Sequence, residues 1–196
     1  MIRKFTFILS FGLLATAAHA TEGIDTAAFF RASLTGLDGQ PVAMERFRGR
    51  PLIVNFWARW CAPCREEIPE LVRLRDAQGA DGIEVIGIAI EEADKLEAVS
   101  DFAKTYSMSY PVVLAAKDGI LLMKALGNPQ AGLPFTVYIG RDGKRGGSKR
   151  GVVRRVARGA WGQALLRGGG GGGVKGRGGV SRRIRAFRRS YRRPAR

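Results

Sequence analysis

The chain has 196 residues and a formal net charge of +16, figures that point to a nucleic-acid or acidic-membrane binder until the charge is located. Residues 1–140 hold 14 Lys and Arg against 16 Asp and Glu, a net of −2, whereas residues 141–196 hold 19 against 1, a net of +18. A uniformly basic domain is therefore excluded. With two cysteines and one histidine, His19 in a leader-like stretch, the chain also lacks the donors of a zinc site and an imidazole to activate a hydrolytic nucleophile.

Residues 1–20 read as an export signal, with Arg3 and Lys4 as a basic head, an apolar stretch from Phe5 to Ala18, and Ala18-His19-Ala20 as a cleavage site. The apolar stretch is about 14 residues where spanning a bilayer takes roughly 20, so cleavage after Ala20 is favoured over a retained anchor. Residues 29–34 and 41–44 flank Asp38-Gly39 and read as a pair of strands joined by a turn. Residues 51–57 form a continuous apolar run, which suits a central strand covered on both faces.

A helical pattern follows at once. Glu66 and Glu67 favour its positive end, Leu71, Val72 and Leu74 give it an apolar face, and Pro69 lies inside it and should kink it. Next come a strand over residues 83–90, a helix over 93–106 with Leu96, Val99, Phe102 and Ala103 on one face, and a strand over 110–115. A short helix near 120–126 and a strand over 135–139 complete the pattern. Strands alternating with helices predict an α/β sheet with helices on its faces.

The domain is expected to span residues 21–145. Beyond it, residues 146–196 form a basic Gly/Arg-rich tail containing the six-glycine run 168–173, a composition too polar to build a core and expected to be disordered. Three readings of the tail stay open: a basic arm for phosphate backbones or anionic lipid, an inert solvated extension, and translation in a shifted frame of a GC-rich gene.

Chemistry points to Cys61 and Cys64, the only cysteines, placed where the apolar strand gives way to the helix. A bridge across two residues closes so small a loop that it constrains the unfolded chain little, so a reversible dithiol is favoured over a structural staple. Cys61 precedes the helix, where free backbone N–H groups and the dipole stabilise a thiolate; it is the expected attacker. Cys64, one turn in, is the expected resolving thiol. Pro63 stiffens the loop, Ala62 and Pro63 tune its potential, and Trp60 covers it.

At these residues the chain resembles the thioredoxin superfamily, and within it the exported, redoxin-like thiol-disulfide reductases of the TlpA/ResA type. The resemblance covers about residues 25–145 and rests on Phe56-Trp57-Ala58-x-Trp60-Cys61-x-Pro63-Cys64, on Gly132-Leu133-Pro134-Phe135-Thr136, and on Asp142-Gly143-Lys144. It implies a thioredoxin-like fold, a central mixed sheet flanked by helices with a strand pair ahead of it. It also implies a cis Pro134 facing the cysteines, and a Leu133 backbone that pairs with the substrate strand beside Trp60, Ala62 and Pro63. Where ordinary thioredoxins carry a buried acid this chain has Asn55, and the exported branch implies instead a Glu at the start of the next strand, here Glu84, as proton acceptor for Cys64. The edge strand and C-terminal helix that close the family fold are not legible after residue 144.

The implied function is periplasmic reduction of protein disulfides, as in cytochrome c maturation. The protein would act as a monomer, with no bound cofactor or metal, recharged by a membrane electron donor, and nucleic acid would not be its partner. A thiol peroxidase is the enzymatic alternative, although the Pro-x-x-x-Thr-x-x-Cys pattern it needs is absent before Cys61. A non-enzymatic binder using the basic tail is the other.

Overall fold

The structure, a computed structural model, describes residues 24–78 and 82–153. The expected export signal and most of the basic tail lie outside the described residues. Seven strands form one mixed sheet in the order β2-β1-β5-β4-β3-β6-β7. Its centre is β3 (Leu52–Trp57), parallel to β4 (Glu84–Ala89), which is parallel in turn to β5 (Val112–Leu114). On the other side of β3 run β6 (Phe135–Ile139) and then β7 (Arg145–Arg150), both antiparallel to their neighbours.

Period-2 alternation along β3 divides the core in two. Leu52, Val54 and Phe56 pack with Phe29 and Phe30 of α1 (Thr26–Arg31) and with Leu122 and Met123 of α4 (Ala116–Ala125). Ile53 and Trp57 face α2 (Ala62–Gln78) and α3 (Leu96–Thr105) on the opposite side, among Ile68, Leu71, Leu74 and Val99. Full burial of each such side chain contributes about 1.5–3 kcal/mol, which makes both faces of β3 necessary to the fold. The same alternation sends Asn55, between Ile53 and Trp57, toward α2.

Three elements differ from the sequence reading. Residues 29–31 are helical, not extended, because Asp25 caps α1 by accepting the Ala27 N–H at 2.8 Å and the helix buries Phe29 and Phe30 together. The strand pair is consequently shorter, β1 (Ser33–Gly36) with β2 (Pro41–Ala43), and β1 joins the main sheet through β5. The helix expected over 120–126 starts a turn earlier, at Ala116.

The third difference is the edge strand. Residues 145–150, Arg-Gly-Gly-Ser-Lys-Arg, carry no hydrophobic alternation, yet they form β7 against the whole of β6, so the sheet runs past the boundary expected at residue 145. An edge strand needs one row of backbone hydrogen bonds and tolerates a polar, basic side-chain set, which also discourages pairing with another sheet. The turn before it forms as expected: Asp142 accepts the Lys144 N–H at 3.0 Å and Gly143 takes a φ of +74°. Beyond β7 the Gly151 N–H donates to the Pro134 carbonyl at 2.8 Å, and Val153 is buried beside α2.

Candidate active site

Cys61 leaves the C-terminal end of β3 through the loop 58–60 and directly precedes α2. It forms a disulfide with Cys64 in the first turn. The Cys64 N–H donates to the Cys61 Sγ at 3.3 Å and to the Cys61 carbonyl at 3.1 Å, so the helix terminus aims a backbone donor at the first sulfur. Cys64 is fully buried, while Trp60, Ala62 and Pro63 are exposed around the pair, with Trp60 at 69% the most exposed large apolar side chain among the described residues. Asymmetry between the two sulfurs is thus built into the helix start.

Pro134 lies at the same end of the sheet. It precedes Phe135, which pairs with Phe56, and the Leu133–Pro134 peptide is cis. Leu133 is half-buried, packed against both core clusters. The loop ahead of it is held by Asn128, fully buried, whose Nδ2 donates to the Gly132 carbonyl at 2.9 Å. The structure therefore brings Trp60, Cys61, Ala62, Pro63 and Cys64 to one end of the sheet with Leu133 and Pro134.

Glu84 does not join them. It pairs with Leu52 at the opposite end of β3, five residues before Trp57, which at about 3.3 Å per residue is roughly 17 Å away along the strand. Its carboxylate is 4% exposed and is held by Arg50 at 2.7 Å and Arg75 at 3.2 Å. As a proton acceptor for Cys64 it is out of reach. Nor does it point at water: it is an ion-paired link between β4, α2 and the chain before β3.

The buried acid on the dithiol side is Glu67, one turn after Cys64 on α2 and without solvent exposure. Its Oε1 accepts from Asn55 Nδ2 at 2.6 Å, and its Oε2 accepts from the Val153 N–H at 2.8 Å. Asn55 Nδ2 also donates to Thr136 Oγ1 at 3.0 Å, tying the carboxylate to β3 and β6. Burial pushes the Glu67 pKa up from 4.5 to about 7, against the lowering effect of the Val153 and Asn55 donors. The anion in turn adds to the burial that holds the hydroxyls of Tyr110 and Tyr138 above their ordinary range.

Sequence reasoning reads Glu67 only as a favourable charge near a helix start, but Ala62 opens the helix and Glu67 falls in its second turn. The signal that finds it is periodicity: Cys64, Glu67, Ile68, Leu71 and Leu74 follow the i, i+3, i+4, i+7, i+10 spacing of one buried stripe, and an acid on such a stripe is desolvated. Glu91 was missed as well. It is buried just after β4, accepts the Arg59 N–H at 2.9 Å and holds the Arg59 guanidinium at 3.3 Å, which fastens the loop carrying Trp60 and Cys61.

The chain is similar to known thiol-disulfide oxidoreductases. Thiol-disulfide oxidoreductase ResA of Bacillus thuringiensis subsp. konkukian is 33% identical over 111 residues, 57% of this chain and 61% of that protein. Thioredoxin-like protein YneN of Bacillus subtilis is 35% identical over 86 residues, 43% of this chain and 50% of that one. The matched segments thus span less than two thirds of these relatives' length. Among solved structures, a thioredoxin-family thiol:disulfide interchange protein from Chlorobium tepidum TLS superposes with a TM-score of 0.53 at 32% identity, over 62% of this chain and 83% of that one. A secreted Mycobacterium tuberculosis disulfide oxidoreductase shares the fold with a TM-score of 0.53 at 22% identity, over 70% of this chain and 94% of that one. The thioredoxin-like fold expected from sequence is therefore the fold observed, and since the Redoxin family model matches residues 21–154, this chain belongs to the Redoxin family.

Proposed function

We propose that this protein is an exported thiol-disulfide oxidoreductase that reduces disulfides in other proteins through Cys61 and Cys64. The observation that carries the reading is a Cys61–Cys64 pair at the start of α2 with the buried Glu67 carboxylate one turn behind the resolving sulfur. In the reduced protein the Cys61 thiolate attacks a substrate disulfide, forming a mixed disulfide and releasing one substrate thiolate. Glu67 takes the proton from the Cys64 thiol; the Cys64 thiolate attacks the Cys61 sulfur, breaking its bond to the substrate, and the second substrate sulfur leaves as a thiolate that takes up the proton Glu67 holds. Two electrons pass to the substrate, and the product is the Cys61–Cys64 disulfide seen here.

Leu133 and the cis Pro134 are assigned to the backbone of the substrate strand, and exposed Trp60, Ala62 and Pro63 to its side chains. Export rests on the leader-like residues 1–20. We assign the protein to the periplasm, with apocytochrome c or another thiol protein as substrate and a membrane-bound donor of electrons. Among the described residues no helix is long and apolar enough to cross a membrane.

Direction and mechanism are tested together. Equilibration of Cys61/Cys64 with glutathione should give a potential near the thioredoxin value of about −270 mV; one near −120 mV would make the protein an oxidant. A Cys64→Ser protein should accumulate a mixed disulfide on Cys61 with a protein substrate, and a Cys61→Ser protein should accumulate none.

A further inference from the structure

We propose that residues 151–153, just beyond β7, are a backbone strap that positions the redox site: the Val153 N–H orients the Glu67 carboxylate while the Gly151 N–H holds the carbonyl of Pro134. The inference rests on the reading of Glu67 as proton acceptor. One three-residue segment thereby bonds both to the acid behind Cys64 and to the proline loop, at 2.8 Å in each case.

Glu67 has two oxygens and, among the described residues, one donor for each: Asn55 Nδ2 on Oε1 and the Val153 amide on Oε2. The titratable groups in electrostatic contact with it are Tyr110, just before β5, and Tyr138 on β6; on α2 itself Cys64 lies one turn away. Neither tyrosine supplies positive charge, so among the described residues the groups that favour the anion are its two hydrogen-bond donors. Removing a donor from a buried carboxylate leaves that oxygen unsatisfied and penalises the charged form.

The strap acts through backbone, so side-chain pattern does not disclose it. Any residue except proline presents the amide at position 153, and Val153 adds only a buried apolar side chain packed on the α2 face of the core. A role in setting Glu67 therefore predicts sensitivity to proline and tolerance of alanine.

The test uses the full chain. Val153→Pro should move the acid limb of the pH profile for protein-disulfide reduction upward by about one pH unit, while Val153→Ala should leave it in place. Added to Glu67→Gln, Val153→Pro should move nothing further. Because a proline here could also prevent folding, the unmutated oxidised protein provides a second measurement: by NMR, the Val153 amide proton should titrate with the same midpoint as the Glu67 carboxyl carbon. A Val153 amide that ignores that titration, or equal limbs for the proline and alanine variants, overturns the strap. Failure of Glu67 as proton acceptor is a different result, an unchanged profile in Glu67→Gln alone.

Discussion

Glu67→Gln separates the burial of this acid from its chemistry. Below about pH 4.5 the carboxyl is protonated in both the folded and unfolded chain. Between 4.5 and about 7 the unfolded chain ionises while the folded protein keeps its proton. The unfolded state then binds fewer protons, so this group makes stability fall as pH rises through that window, and its effect levels off above about 7. The displacement from 4.5 to about 7 corresponds to about 3 kcal/mol of stability lost by pH 8. Glutamine has nearly the same shape, can still accept from Asn55 or Val153, and does not ionise. Urea unfolding of the oxidised proteins at several pH values from 4 to 8 should therefore show the variant gaining on the parent by about 3 kcal/mol across the range. In the same variant the resolving step should slow by about 100-fold, and its acid limb near pH 7 should vanish. Parallel stability curves would refute the buried, proton-holding Glu67, and an unchanged rate profile would refute its role in catalysis.

Two further substitutions test the residues around it. Glu84→Gln should leave the acid limb in place but cost about 1–3 kcal/mol, less than a wholly buried pair would, because Arg50 and Arg75 are 39% and 24% exposed and can be solvated when the pair is weakened. Urea midpoints and the pH profile read both parts, and a displaced limb would return Glu84 to the mechanism. Glu91→Ala removes the acceptor of the Arg59 N–H and the partner of its guanidinium, so it should cost about 1–3 kcal/mol and slow mixed-disulfide formation on Cys61. Glu91→Gln, which keeps an acceptor for the amide, should recover part of both, and an alanine variant equal to the parent would detach Glu91 from the loop.

Elements that announce themselves through side chains were legible in the sequence. Residues 51–57 have no polar residue except Asn55, so a doubly covered strand was the economical reading, and β3 is buried throughout. The cysteine pair was equally visible, since its spacing and its place at a strand-helix junction are local facts. What failed was the carry-over of a proton acceptor from the resemblance onto Glu84. Assigning the proton acceptor to Glu84 requires knowing which end of β4 meets the dithiol, and parallel pairing of Leu52 with Glu84 and of Trp57 with Ala89 puts the wrong end there. On the helix no such knowledge is needed. The spacing from Cys64 to Glu67 fixes the shared face whatever the sheet does, and this makes an acid on a buried helical stripe the stronger local evidence. Edge strand β7 failed for the opposite reason, because its contribution is made by backbone amides that Arg-Gly-Gly-Ser-Lys-Arg supplies as well as an alternating sequence would. The same reasoning extends to Gly151 and Val153, where a compositionally unremarkable stretch bonds to Pro134 and Glu67. A C-terminal boundary at residue 145 therefore leaves out the backbone donors to Pro134 and Glu67.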